Sequence, residues 1–279
     1  MKILVTGGSG LLAPYIAEQF SCAGDLILTS RNDPHYPCDL TKPQEVSALI
    51  DEVFPGVVLH LAAMTNVDYC EEHPEEAIAA NATTTRNLVT ALAGSEAYFV
   101  YISTDQIYPD GEGPFCEEGS GPVNHYGKSK LAGELEAKKY MNSLIVRTNI
   151  IGPSRTSGRD SLSDFFIKAF SEKKQISLFK DVLFSPLHMA TLAQVLLQCY
   201  EQDLRGTYNL GSHEGMSKKD FALKLAEQKG LDASQVTITD STNIPGRAPR
   251  PRDLRLNVAC FESMSGIKLP SLQEEIEKL

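Results

Sequence analysis

Short apolar runs at 2–6, 25–30, 57–62, 97–102 and 143–148 are separated by stretches at 43–53, 74–93 and 124–140 whose apolar residues recur at helical intervals. Strands that alternate with helices predict a parallel sheet, and right-handed crossovers place helices on both of its faces. The loops at the carboxyl ends of the strands then share one edge, where ligands bind. After about residue 150 the rhythm changes, with helical candidates at 162–172, 187–200, 217–229 and 271–278 between shorter strand candidates near 175–179, 206–210 and 235–239. The expected fold class is α/β, a doubly wound parallel sheet over 1–150 with a smaller C-terminal α/β lobe over 151–279. The two are interleaved, because Gly206-Thr207-Tyr208-Asn209-Leu210 is β-rich enough to return to the main sheet.

The chain has 279 residues, 42% of them apolar and 22% charged, which suits one large soluble domain with a lobe grafted on. Its formal net charge of −10 opposes broad attraction to nucleic acid or an anionic membrane, so neither is an expected partner and an anionic ligand must be captured locally. No run approaches the roughly 18 apolar residues of a membrane span, and the first apolar run is too short for a signal peptide. A cytoplasmic location is expected. The six cysteines, Cys22, Cys38, Cys70, Cys116, Cys199 and Cys260, form no CxxC and are expected to be reduced structural thiols.

The first candidate site is the opening turn. Ile3-Leu4-Val5 runs into Thr6-Gly7-Gly8-Ser9-Gly10-Leu11-Leu12-Ala13 and then a helical stretch. A strand, a glycine turn and a helix N-terminus make a phosphate cradle, in which Gly7 and Gly10 let the backbone approach a pyrophosphate. The plain alternative is an ordinary glycine turn between a strand and a helix.

The second is Tyr126-Gly127-Lys128-Ser129-Lys130, preceded by Asn124 as a helix cap. Tyr126 and Lys130 share a helix face. A phenol ionises near pH 10 in water, and a nearby ammonium is expected to lower that value and make the pair a proton relay. Lys130 can also hold a ribose hydroxyl. Upstream, the β-rich segment Phe99–Ile102 enters Ser103-Thr104-Asp105-Gln106. Thr104 is placed to donate to a carbonyl oxygen as negative charge develops there, while Tyr126 delivers the proton. The competing reading for Thr104 is a hydroxyl turn that satisfies backbone groups at the strand end.

With TGGSGLLA at 6–13, HLAAMTNVD at 60–68, ISTDQIY at 102–108 and YGKSK at 126–130, the chain resembles the extended short-chain dehydrogenase/reductase superfamily. Within it the chain looks most like the dTDP-4-dehydrorhamnose reductase group, through Val67-Asp68, Glu71, Pro74-Glu75, Ala77 and Asn81, the Ser103-Thr104-Asp105 triplet and Arg147-Thr148-Asn149. The segment from Ala248 to Leu256, with Arg250, matches that group's arginine-proline stretch. The resemblance implies a Rossmann-like domain holding NADPH or NADP, and a substrate-binding lobe for a nucleotide-linked 4-keto sugar that is reduced to the alcohol. Thr104, Tyr126 and Lys130 are then catalytic. Gly7, Ser9, Gly10, Leu11 and Leu12 cradle the cofactor, Leu61, Ala62 and Ala63 line it, and Asp39 and Leu40 approach its adenine. Val67, Asp68, Thr104, Asp105, Gln106, Asn149 and Arg250 face the substrate. A homodimer is compatible with the resemblance.

Cofactor choice follows from the end of the second strand. An NAD enzyme usually carries an acid there, whereas this chain offers Ser30 and Arg31, whose guanidinium can clamp a 2′-phosphate. NADPH is therefore expected over NAD. Arg247, Arg250, Arg252 and Arg255, set among the prolines from Pro245 onward, form a cationic cluster on an acidic chain, and Arg250 is the residue expected to touch a diphosphate. Gln106, Ile150 and Ile107-Tyr108-Pro109-Asp110 depart from the group's usual pattern, and Pro14-Tyr15 lacks the acid used in metal-bridged dimers, so no metal is expected. Two other functions fit the same motifs. One is a sugar-nucleotide epimerase or dehydratase with tightly held NAD; the other is a non-catalytic NADP-binding subunit like the β subunit of methionine adenosyltransferase.

Overall fold

The computed structural model of the chain describes residues 1–243 and 246–279. Its main sheet contains β1 (Lys2–Thr6), β2 (Asp25–Thr29), β3 (Val57–His60), β4 (Tyr98–Thr104), β5 (Ser143–Thr148) and a returning strand, Gly206–Leu210. The order is returning strand, β5, β4, β3, β1, β2, and every pairing is parallel. Alternation along the strands sorts the core into two layers. Ile3, Val5, Leu59, Val100 and Val146 face one side, against Tyr15, Ile16 and Phe20 of α1 (Ala13–Phe20) and the helix Met189–Glu201. Leu4, Val58, Phe99, Tyr101 and Ile145 face the other, against Val46, Leu49 and Ile50 of α2 (Pro43–Val53) and Leu88. Both faces being covered explains why these strands are continuous apolar runs rather than alternating ones.

The strand order reverses between β1 and β3, and the loops leaving those strands meet there. The stretch expected as one helix over 74–93 is three segments, Pro74–Ile78, a π-helical turn Ala79–Thr83 and Thr84–Ala91. The wider turn coincides with Asn81, whose side chain is drawn inward to the backbone of Met64 and to Ser129. After β5, the helices Leu162–Ser171, Lys218–Lys229 and Leu272–Glu277 gather a second core with Phe166, Phe170, Phe184, Phe221 and Leu225. Two-residue strands such as Leu183–Phe184 and Asp253–Leu254 were not expected, because two residues carry no period. No helix among the described residues is long and apolar enough to cross a membrane.

The helix His125–Ala137 lies nearest the sheet's functional edge. Asn124 caps it, its Oδ1 accepting from the Gly127 N–H at 2.8 Å. Two glycines let it approach closely: a Cβ at Gly127 would sit 2.2 Å from the Gln106 carbonyl oxygen, and one at Gly133 2.2 Å from the Tyr101 hydroxyl and 2.3 Å from the Asn81 carbonyl. Gly133→Ala should therefore cost about 2–3 kcal/mol by overpacking, whereas Gly111→Ala, whose Cβ would meet nothing nearer than 3.7 Å, should be close to neutral. Urea unfolding of the two variants measures the difference; equal stabilities would refute the close-packing argument.

Candidate active site

At the strand reversal, Gly7 takes φ +70°, and a Cβ there would lie 2.7 Å from the Ala62 amide nitrogen. The end of β3 thus packs directly on the turn. The Gly8 N–H donates to the Thr29 carbonyl at 3.0 Å and the Gly10 N–H to the Gly7 carbonyl at 2.8 Å. Beyond them α1 begins with Pro14 in its first turn, no side-chain cap and no acid. Nothing within the helix neutralises its positive end, which suits an anion such as a pyrophosphate. Ser9 is exposed and Leu11 partly so, whereas the Leu12 side chain is buried in the core and only its backbone can face a ligand. Leu61 and Ala62 are half-buried beside the turn and Ala63 is exposed.

The turn is braced from behind. Thr6 Oγ1 lies 2.7 Å from His60 Nδ1, and His60 Nε2 lies 3.1 Å from Thr85 Oγ1. Burial pushes His60 down to about 3, so this imidazole is a neutral strut. From the far side, Thr156 donates to the Gly10 carbonyl at 3.0 Å and Tyr15 to the Pro153 carbonyl at 2.6 Å. At the end of β2 the Ser30 carbonyl accepts the Cys38 N–H at 3.1 Å, and the Arg31 side chain is exposed. Asp39 spends its Oδ1 on the Thr41 N–H and hydroxyl, which hold its carboxyl below the usual range. The Leu40 carbonyl accepts from Asn87 at 2.9 Å.

Thr104, Tyr126 and Lys130 converge at the carboxyl end of β4, all with less than a tenth of their surface exposed. Thr104 Oγ1 accepts the Gln106 N–H at 3.2 Å and donates to Asp105 Oδ1 at 3.1 Å, so the hydroxyl turn is present. The same hydroxyl sits beside the Tyr126 phenol and favours its ionisation. Lys130 Nζ donates to the Ile102 carbonyl at 2.6 Å and lies 4.3 Å from the centroid of the Tyr101 ring. One expectation is corrected here. Burial raises Tyr126 well above the ordinary phenol value, and Lys130 does not offset it, because its ammonium is turned toward the strand. Burial also pulls Lys130 down to about 7, with Glu134 opposing. Cys70, packed beside Tyr126, is raised to about 11 and is an inert thiol.

Asp105 is 1% exposed and accepts from Asn149 Nδ2 at 2.6 Å. Burial lifts its carboxyl to about 6, against the pull of Asn149, Lys218 and Thr104. Gln106 Oε1 accepts from Asn124 at 3.1 Å, and Asn124 also donates to the Pro249 carbonyl at 2.9 Å, tying the arginine-proline stretch to the helix cap. In that stretch Arg250 donates to both oxygens of Asp68 at 2.9 Å, and the Ala248 N–H adds a third bond at 2.9 Å. Asp68 and Arg250 therefore satisfy each other, and Val67 packs with Tyr126 and Cys70. Arg252 pairs with Asp110 and Arg255 with Asp253. Arg247 has no carboxylate partner within ion-pair distance among the described residues and lies 4.6 Å from the centroid of the Phe179 ring. Arg250, the residue expected to touch a diphosphate, is held by Asp68. Pro245 lies outside the described residues.

Sequence reasoning missed the group behind the site. Arg147 Nε and Nη2 bond Glu134 at 3.0 and 2.8 Å, Arg147 Nη1 bonds the Tyr108 hydroxyl at 3.0 Å, and Ser103 Oγ donates to Glu134 at 2.5 Å. Both members of the pair are essentially buried. The available signal was spacing: Tyr126, Lys130 and Glu134 fall four apart on one helix face. Glu134→Gln leaves a buried guanidinium without its counter-charge and should cost about 3–5 kcal/mol in urea unfolding; a loss below about 1 kcal/mol would refute the strut. Asp105 gives a pH-dependent test. Folding raises its carboxyl, so its contribution is full below about pH 4 and is lost as pH rises through about 6. The stability of the wild type relative to Asp105→Asn should fall by on the order of 2–3 kcal/mol between about pH 4 and pH 7; a flat difference would contradict the burial argument.

The family model described as the RmlD substrate binding domain matches residues 1–279. The chain is 29% identical to a probable low-salt glycan biosynthesis reductase, Agl14, of Haloferax volcanii, over 100% of this chain and 97% of that protein. It is 30% identical to the methionine adenosyltransferase 2 subunit beta of Xenopus laevis, over 94% and 82%. Among solved structures, a dTDP-4-dehydrorhamnose reductase from Clostridium acetobutylicum superimposes with TM-score 0.90 at 29% identity, covering 100% of this chain and 98% of that one. A dTDP-4-dehydrorhamnose reductase from Bacillus anthracis in complex with NADP superimposes with TM-score 0.90 at 26% identity, covering 99% and 97%. With its whole length matched by the family model, the chain belongs to the RmlD substrate-binding-domain family.

Proposed function

We propose that the chain reduces the 4-keto group of a nucleotide-linked deoxy sugar, with NADPH as reductant. The observation that carries this reading is the meeting of two buried hydroxyls, Thr104 and Tyr126, beside an uncapped glycine cradle at one sheet edge. The reductase relatives and the NADP-bound neighbour support it.

NADPH supplies a hydride when bound. Gly7, Gly10 and the free N–H groups at the start of α1 hold the pyrophosphate, with Ser9, Leu11 and Leu12 completing the turn. Ser30 and Arg31 take the 2′-phosphate, Asp39 and Leu40 border the adenine, and Leu61 to Ala63 line the adenosine. Tyr126 is fully protonated at neutral pH because burial disfavours its phenolate, so it serves as an acid. It gives its proton to the ketone oxygen only as that oxygen gains charge. Thr104 donates a hydrogen bond to the same oxygen. Lys130, one helical turn beyond Tyr126 with its ammonium bonded to the Ile102 carbonyl, holds the ribose. Asp105, Gln106 and Asn149 face the sugar, and Val67, Asp68 and Arg250 border the nucleotide.

Purified protein with NADPH and a panel of dTDP-, UDP-, GDP- and CDP-linked 4-keto sugars should consume nicotinamide absorbance with at least one member. NADPH binding without oxidation by any of them would instead favour a binding role of the kind its β-subunit relative suggests. Tyr126→Phe should abolish turnover and leave NADPH affinity within about twofold, because only the proton donor is lost. Arg31→Ala should raise KM for NADPH by roughly ten- to a hundredfold, the worth of a charge-assisted phosphate contact, and leave that for NADH unchanged. Equal use of the two cofactors by the wild type would discard the 2′-phosphate assignment.

A further inference from the structure

The stretch between β5 and the helix Leu162–Ser171 reaches back to the glycine turn. One side of it is fixed to that helix: the Gly152 N–H donates to Ser163 Oγ at 3.2 Å and the Ser154 N–H to Asp164 Oδ2 at 2.8 Å. Its other contacts are to the cradle and α1. The Pro153 carbonyl accepts from Tyr15 at 2.6 Å, the Arg155 guanidinium lies 4.1 Å from the centroid of the Tyr15 ring and pairs with Glu18, and the half-buried Thr156 donates to the Gly10 carbonyl at 3.0 Å. Ser154 holds Thr156 in place for this, its Oγ accepting the Thr156 N–H at 3.1 Å and donating to the Thr156 carbonyl at 3.0 Å.

The local sequence leaves the Gly10 carbonyl in need of that donor. Four residues on, where a helical N–H would return to it, stands Pro14, which has no N–H to give. Among the described residues the Thr156 hydroxyl is its one hydrogen-bond donor. The Gly10–Leu11 peptide is trans and planar, so the Leu11 N–H points away from the carbonyl and from Thr156. That N–H has no acceptor among the described residues. Fastening the carbonyl on one side thus fixes the direction of an unpaired donor on the other. Without the fastening the peptide can rotate and present its carbonyl, the negative end of the dipole, to an anion in the turn.

We infer that Thr156 is a positioning residue for the cofactor: its hydroxyl orients the Gly10–Leu11 peptide so that the Leu11 N–H meets the pyrophosphate. This rests on the proposed use of NADPH for the identity of the anion. The hydroxyl acts through the peptide and touches no reacting atom. A residue that follows the last strand of the N-terminal half thereby completes the cradle at its start, 146 positions away.

The test measures binding of NADPH and NADH to wild type, Thr156→Val and Thr156→Ser by fluorescence titration, with the melting temperature of each protein taken free of nucleotide. Thr156→Val keeps the shape and removes the donor, so Kd for NADPH should rise roughly five- to tenfold, the effect of one lost hydrogen bond. Kd for NADH should rise by the same factor, because both nucleotides carry the pyrophosphate. Thr156→Ser keeps the hydroxyl and should stay within about twofold of wild type. A Thr156→Val protein that binds NADPH as wild type does would overturn the inference, and so would a Thr156→Ser protein that loses as much affinity as Thr156→Val. An affinity loss matched by a fall in the melting temperature of the nucleotide-free protein would mark a merely structural role and count against it equally. If wild type binds NADPH and reduces no sugar nucleotide, while Thr156→Val still weakens binding and Thr156→Ser does not, the reaction assigned above fails and the role of Thr156 stands.

Discussion

Glu134 is a carboxylate with no exposed surface, and the geometry of the site depends on what satisfies it. Arg147 on β5 and Ser103 on β4 both bond to it, so one side chain locks the helix bearing Tyr126 and Lys130 to two adjacent strands. The same guanidinium reaches the Tyr108 hydroxyl, which in turn donates to Asn209 on the returning strand at 2.6 Å. A chain of bonds therefore crosses from the catalytic helix to the far edge of the sheet. A buried pair of this kind is weak evidence of net stability, since desolvation offsets much of the attraction. Its effect is to hold Glu134, Arg147, Ser103 and Tyr108 in one mutually bonded arrangement.

Around that strut Tyr126, Lys130 and Asp105 are kept away from their ordinary values, and burial is the leading cause for all three. Tyr126 is held protonated, Lys130 is drawn toward neutrality and Asp105 is lifted to about 6. Folding therefore opposes charge at the place where the proposed reaction develops it. An oxyanion forming there meets preorganised donors rather than bulk water, which is where such donors act most strongly. The glycine cradle has the complementary character, with a helix end carrying no internal acid.

Much of this was legible in the sequence because it is local. The glycine turn, the Asn124 cap, the four-residue spacing of Tyr126 and Lys130, and the return of 206–210 to the sheet all depend on patterns within a few residues. The unread parts depend on contacts distant in sequence. Asp68 meets Arg250 across 182 positions, and no local rule separates Arg250 from Arg247. The ammonium of Lys130 was expected to relieve Tyr126; its bond to the Ile102 carbonyl is a tertiary choice that spacing cannot express. The π-helical turn at Asn81 was hidden for the same reason, since it answers the needs of Met64 and Ser129 rather than a period in its own segment.

The account turns on hydride reaching the ketone carbon that Thr104 and Tyr126 face, and isotope transfer reads that event directly. The protein is incubated with NADPH carrying deuterium at the reactive C4 position and with a 4-keto sugar nucleotide, and the product is examined by mass spectrometry and proton NMR. One deuterium at C4 of the sugar, with none at its neighbours, is the predicted result. A product with no deuterium at C4, or with solvent hydrogen exchanged at the adjacent carbons and the ketone intact, would contradict the account.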